Sequence, residues 1–156
     1  MRYEVSLSIQ RGDIVRVFGP FPCGEYPDIN IFRLGLKHIL PFGKERVEAD
    51  DGYRDYEYID GPREHGGGGE AQLKLKSRVR GRHETVNRRF KQWGVLCQRY
   101  RHDLKKHGYI FKAIATITQL EINGGNKLYQ VDGYKTIQSA VRTDNINMML
   151  KYKKRY

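Results

Sequence analysis

The chain has 156 residues and a mass of 18.3 kDa, with 29 Lys and Arg against 18 Asp and Glu, a formal charge of +11 and a pI near 9.7. At about 100–200 residues per domain this is one domain, and 38% apolar content with 11 Tyr, 6 Phe and 1 Trp excludes a wholly disordered chain. No run approaches the about 18 apolar residues of a membrane span, residues 1–11 hold no signal-peptide apolar core, and Cys23 and Cys97 make no disulfide scaffold, so the expectation is a soluble intracellular domain, nuclear or cytoplasmic, with no membrane partner.

Tyr3, Val5, Leu7 and Ile9 alternate with Glu4, Ser6, Ser8 and Gln10, the period-2 pattern of a half-buried strand. Arg11-Gly12-Asp13 turns the chain, and Ile14 to Phe18 reads as the returning strand of a β-hairpin. Gly19-Pro20-Phe21-Pro22-Cys23-Gly24 is a breaker-rich loop expected to end it. Asp28 is the expected N-cap, worth about 1 kcal/mol, of an amphipathic helix with Ile29, Phe32, Leu36 and Ile39 on one stripe. Residues 44–50 are expected to form a short strand running into Asp50-Asp51-Gly52-Tyr53. Residues 53–75, with consecutive glycines at 66–69, read as a flexible loop.

From about Arg78 to Asp103 the spacing predicts a long helix with Val86, Phe90, Trp93, Cys97 and Tyr100 facing a core. A second helix, from Tyr109 to about Glu121, turns Ile110, Ile114, Ile117 and Leu120 inward and stops at Gly124-Gly125. Residues 123–156 read as a C-terminal extension with a basic tail from Lys151. This order is mixed α/β, and three strands need a further partner to make a stable sheet.

Charge is concentrated in one third of the chain. Residues 1–73 hold 9 basic and 13 acidic side chains, residues 74–106 hold 12 and 2, and residues 107–156 hold 8 and 3. That field suits a polyanion such as nucleic acid, the plainer alternative being a solvated Lys/Arg-rich helix face. Arg80, Glu84, Asn87 and Lys91 share a helix face about 120° from the Val86/Phe90/Trp93 stripe. Glu84, ringed by Arg80, Arg82, Arg88 and Lys91, fits either a divalent-metal ligand beside phosphate-binding cations or a solvated partner in i,i+4 ion pairs. Asp50, ahead of Gly52, fits either a metal ligand or the backbone partner of a turn. Two carboxylates converging on one Mg²⁺ would support in-line phosphoryl displacement.

Asp50-x-Gly52-Tyr53 followed by Arg80-x3-Glu84-x6-Lys91 resembles the second half of a DDE transposase signature. Arg2-Tyr3-Glu4-Val5, Gly19-Pro20-Phe21-Pro22-Cys23-Gly24, Asp28-x3-Phe32-Arg33 and Arg82-His83-Glu84-Thr85-Val86-Asn87 resemble the Harbinger-type DDE superfamily endonucleases, across residues 2–122. The resemblance implies an α/β RNase H-like mixed sheet with flanking helices, residues 1–122 being a partial DDE endonuclease domain. It implies Mg²⁺ or Mn²⁺ on Asp50 and Glu84, which have 33 residues between them, with Arg80, Arg82, Arg88 and Lys91 on DNA phosphates and Asn87 supporting the site.

The resemblance further implies an N-terminally truncated chain that lacks the first, central strand and its catalytic Asp. Such a chain would be inactive, with an open sheet edge available for self-association, a separate partner protein supplying DNA specificity, and a place in the nucleus. Ser77 stands where related signatures carry Tyr. The alternative is a domesticated, non-catalytic DNA-binding module that keeps the basic helix.

Other residue groups point to structure. Glu4 is turned away from the Tyr3/Val5/Leu7 face by alternation, and Asp13 belongs to a turn, so neither replaces the missing Asp. Cys97-x4-His102-x4-His107 lacks zinc-finger spacing and reads as a buried thiol with surface histidines. The glycines at 66–69 lack the Lys and Ser/Thr of a phosphate loop, and Trp93 is expected in the core.

Overall fold

The alternating N-terminal segment pairs with the segment beyond the turn, where Gly12 takes φ 79°. In the computed structural model, which describes residues 1–41, 45–53, 55, 57–61 and 70–134, β1 (Arg2–Leu7) and β2 (Ile14–Phe21) form an antiparallel hairpin with Val5 opposite Val17. β2 runs on to Phe21, through residues expected to break it. Gly19 makes this continuation fit: at φ 130° it sits so close to β1 that a Cβ would lie 2.8 Å from the Arg2 carbonyl oxygen.

Both faces of the hairpin are covered. Tyr3, Val5, Leu7, Ile14 and Val17 pack on the main core of Val86, Phe90, Phe111, Ile114, Ala115, Ile122 and Leu128. Glu4, on the opposite face, is also buried, beside Gly35. α1 (Asp28–Leu34) ends at this glycine and a single 3₁₀ turn, Leu36–His38, follows. The helix is too short for the predicted stripe, so Phe32 and Leu36 are buried while Ile39 is exposed and Ile31 is buried in its stead. Pro27, not Asp28, occupies the N-cap, and the Asp28 carboxylate pairs with Arg2 at 3.0 Å. Gly35 admits no side chain, because a Cβ there would meet the Phe18 ring at 2.4 Å. Gly35→Ala is therefore expected to destabilise by about 1–3 kcal/mol through overpacking, read as a lower urea midpoint; an unchanged midpoint would contradict this packing.

β3 (Val47–Glu48) is much shorter than the predicted 44–50 strand and pairs in parallel with β4 (Ile59–Asp60). Ile59, Tyr58, Phe32 and Leu36 make a second core beneath them. The described strands thus form two separate two-stranded sheets, within a mixed α/β fold.

The region read as a loop over 53–75 contains β4 and the start of α2 (Glu70–Lys91). The first turns of α2 bury Gln72 and Lys76, so no apolar stripe announces them. The Lys76 ammonium donates to the Gly61 carbonyl at 3.0 Å and lies 3.6 Å from Glu48. α2 stops well before Asp103. Trp93 turns extended (φ −82°, ψ 115°) and opens the short α3 (Gly94–Cys97). Val86 and Phe90 keep their predicted core places, but the break carries Trp93 and Cys97 out to solvent.

α4 (Leu104–Asn123) begins earlier than predicted, because the Asp103 carboxylate accepts the Lys105 N–H at 3.0 Å as an N-cap. Its inner face carries His107, Phe111, Ile114, Thr118 and Ile122, while Ile117 and Leu120 point outward. Polar side chains can sit on that face because their bonds are made at home: Thr118 donates to Ile114 O at 2.9 Å, and the Tyr3 hydroxyl meets His107 Nδ1 at 2.6 Å. The fold also continues past residue 122. Leu128 and Val131 are buried, and the Tyr129 hydroxyl donates to the Arg78 carbonyl at 2.6 Å, so the first part of the supposed extension belongs to the domain. The glycines at 66–69 and the basic tail lie outside the described residues. No described helix is long and apolar enough to cross a membrane.

Candidate nucleic-acid interface

The cations of α2 divide into those the fold consumes and those it leaves at the surface. Arg82, predicted to touch phosphate, is 2% exposed. Its Nε and Nη2 donate to Tyr129 O at 3.1 and 2.7 Å, and its Nη1 donates to Ile9 O at 2.5 Å. One guanidinium thereby ties the hairpin turn and the 124–131 segment to the middle of α2. The phosphate role is corrected to a structural one, since a fork committed to buried carbonyls cannot also reach a ligand.

His83 works beside it. Its Nε2 lies 2.8 Å from Val5 O, and a carbonyl only accepts, so Nε2 carries the proton. Asn87 Nδ2 approaches the other ring nitrogen at 3.4 Å. Asn87 therefore leans toward His83, on its own helix, and not toward a metal centre.

The solvent-facing side chains of α2 are different. Lys74, Arg78, Glu84, Arg88 and Lys91 are exposed, while Arg80 and Arg89 are half-buried. Arg78 donates to Gln130 O at 2.7 Å. Among the described residues Glu84, Arg88 and Lys91 form no ion pair, so the i,i+4 pairing expected for Glu84 is not made. Arg99 and Arg101, in the link after α3, and Lys105, Lys106 and Lys112 on α4 are exposed as well. Glu84 and Asp103 are the acidic side chains between residues 74 and 106, and Asp103 is engaged as a cap.

Asp50 lies at an exposed turn, where its Oδ1 accepts the Gly52 N–H at 3.0 Å. Its charge is felt at Tyr53, whose hydroxyl is pushed up by burial first and then by Asp28, Glu4 and Asp50. No hydrogen bond or ion pair joins Asp50 to Glu84 among the described residues. Nor does any group of three His, Cys, Asp or Glu side chains there converge to hold a metal ion.

Three buried carboxylates had no signal in the spacing of the sequence. Glu48, behind α2, receives the Tyr134 hydroxyl and faces Lys76, and burial pushes its carboxyl up. Beside it Asp60 accepts Arg46 Nε at 2.7 Å. Glu4 is more isolated: both carboxylate oxygens are buried without a hydrogen-bond partner. Burial raises its pKa, and the nearby Arg16 offsets only part of that rise.

A carboxyl raised on folding contributes stability that is fully present below its ordinary value and is lost as pH rises through the folded value. Glu4→Gln is therefore expected to stabilise the domain at neutral pH, because it removes a buried charge whose oxygens have no hydrogen-bond partner. Its stability should also rise less than the native protein's as pH falls toward the ordinary carboxylate range. Thermal melts across pH check this, and a less stable variant at neutral pH would contradict it.

Compared with family models, curated proteins and solved structures, the chain matches none.

Proposed function

We propose that this domain is a non-catalytic nucleic-acid-binding module that grips the phosphate backbone with the exposed cations of α2 and of the α3–α4 region. The observation that carries this reading is the surplus of positive charge left outside after the fold has used its own: Arg82 and Lys76 are buried among carbonyls and a carboxylate, whereas Arg88, Lys91, Arg99, Arg101, Lys105 and Lys106 remain at the surface. DNA as the ligand follows from the resemblance to Harbinger-type DDE endonucleases. The metal-dependent endonuclease reading rests on motif order alone, and Asp50 serving a turn speaks against it.

Binding to duplex DNA is expected to weaken steeply with salt, because each phosphate neutralised releases counterions; about six neutralised phosphates give a slope near −5 in log K against log salt. Fluorescence anisotropy across a salt series measures it. No binding at low salt would overturn the reading. Plasmid nicking with Mg²⁺ or Mn²⁺ that Glu84→Gln abolishes would overturn its non-catalytic part.

A further inference from the structure

Between β1, α3 and the first turns of α4 lies an open groove of about 370 Å³ whose wall includes Tyr3, Arg99, Tyr100, Leu104, His107 and Phe111. We infer that this groove receives one unpaired nucleotide of a bound strand, its base against the aromatic wall and its phosphate at the basic rim. The inference rests on the nucleic-acid reading above and adds to it a site for a base, which backbone cations alone do not supply.

The wall is preassembled. Tyr3 stacks on Phe111 with ring centroids 3.8 Å apart and planes within 2°. Tyr100 sets its ring edgewise to His107 at 4.8 Å. Tyr3 is held by its 2.6 Å hydrogen bond to His107 Nδ1, and burial, then Tyr100, pushes its hydroxyl up to about 12. It therefore stays protonated and acts as the donor in that bond. Burial lowers the His107 pKa, so the ring is neutral near pH 7 and, with Nδ1 accepting from Tyr3, carries its proton on Nε2. A groove that combines an aromatic wall with polar side chains, Gln98 and Arg99 among them, suits a planar heterocycle carrying a phosphate better than it suits a bare anion.

The rim supplies the other half of the ligand. Arg99 lines the groove, and Arg101, Lys105 and Lys106 are exposed on the adjoining chain. Tyr100 is half-buried, so part of its side chain is open to an incoming ring. Base–aromatic stacking is tolerant of sequence and is worth about tenfold or more in affinity per base.

The test uses the full chain and three small probes: adenosine 5′-monophosphate, adenosine and inorganic phosphate. NMR of the His107 imidazole is expected to show saturable shifts with the nucleotide, weaker shifts with adenosine and none with phosphate. Tyr100→Ala should weaken nucleotide binding about tenfold while leaving blunt-duplex affinity unchanged. If the first variant fails to fold, Arg99→Ala, on an exposed side chain, should likewise weaken nucleotide binding; as Arg99 is also one of the duplex-gripping cations, its readout is the nucleotide alone. A duplex with a short unpaired end should bind tighter than a blunt duplex of equal phosphate count.

Absence of any His107 shift at millimolar nucleotide, with blunt-duplex binding intact, would overturn the groove assignment and leave the proposed function standing. Nucleotide binding without any duplex binding would overturn the proposed function instead. Equal affinity for overhang and blunt duplex would overturn the assignment of the groove to an unpaired nucleotide.

Discussion

Arg82→Ala is expected to lower the unfolding free energy by about 2–5 kcal/mol, because it leaves buried carbonyl acceptors unpaired at about 1–3 kcal/mol each. That is a large share of the about 5–15 kcal/mol available to a domain. The guanidinium of Arg82 is bonded to carbonyls at Ile9 and Tyr129, so its removal orphans acceptors in two segments far apart in the chain. Arg82→Lys should rescue little, because one ammonium cannot reproduce a fork that spans both. Arg88→Ala, on the exposed face six residues along, is expected to change stability by no more than about 0.5 kcal/mol. Urea unfolding of the three variants measures the contrast. A loss below about 1 kcal/mol for Arg82→Ala would show that the guanidinium does not clamp these segments.

The reverse contrast is expected in DNA binding. Arg88→Ala with Lys91→Ala removes two exposed cations that no described residue pairs, and should weaken duplex binding by tenfold or more at low salt. Its salt slope should become shallower by about 2, one for each phosphate that is no longer neutralised. Glu84→Gln, which removes a negative charge amid these cations, is expected to tighten binding a few-fold. Under the metal-ligand reading of Glu84, by contrast, the same substitution should act only when Mg²⁺ or Mn²⁺ is present. Unchanged affinity and slope in the double variant would exclude this face of α2 from the interface.

The parts of the fold that were legible in the sequence are those set by local alternation and short apolar spacing. The hairpin from Tyr3 to Phe18, and Val86 and Phe90 on α2, follow from periods that each residue's neighbours support. Elsewhere a long-range partner decided the outcome. Arg82 and Lys76 look solvated in the sequence because their partners, Tyr129, Ile9 and Gly61, are distant along the chain. The inner face of α4 escapes the apolar spacing because His107 and Thr118, polar by type, are satisfied by Tyr3 and Ile114, while the apolar Ile117 and Leu120 stay outside.

The break after Lys91 was hidden for a related reason. Trp93 continues the apolar spacing, yet its backbone turns extended, and spacing carries no information about that. Of the candidate site, the charge concentration over 74–106 was legible and its division between buried and exposed cations was not. Asp50 fits either a ligand or a turn former in the sequence, and in the structure its Oδ1 makes the turn's bond to the Gly52 N–H.

Amine labelling of the lysines, read by mass spectrometry with and without duplex DNA, tests the central division most directly. Lys76, buried against Gly61 and Glu48, should remain unlabelled in both states. Lys91, Lys105 and Lys106 should label freely in the native protein and become protected when DNA is added. Ready labelling of Lys76 in the folded protein, or DNA binding that leaves Lys91, Lys105 and Lys106 unprotected, would contradict the account.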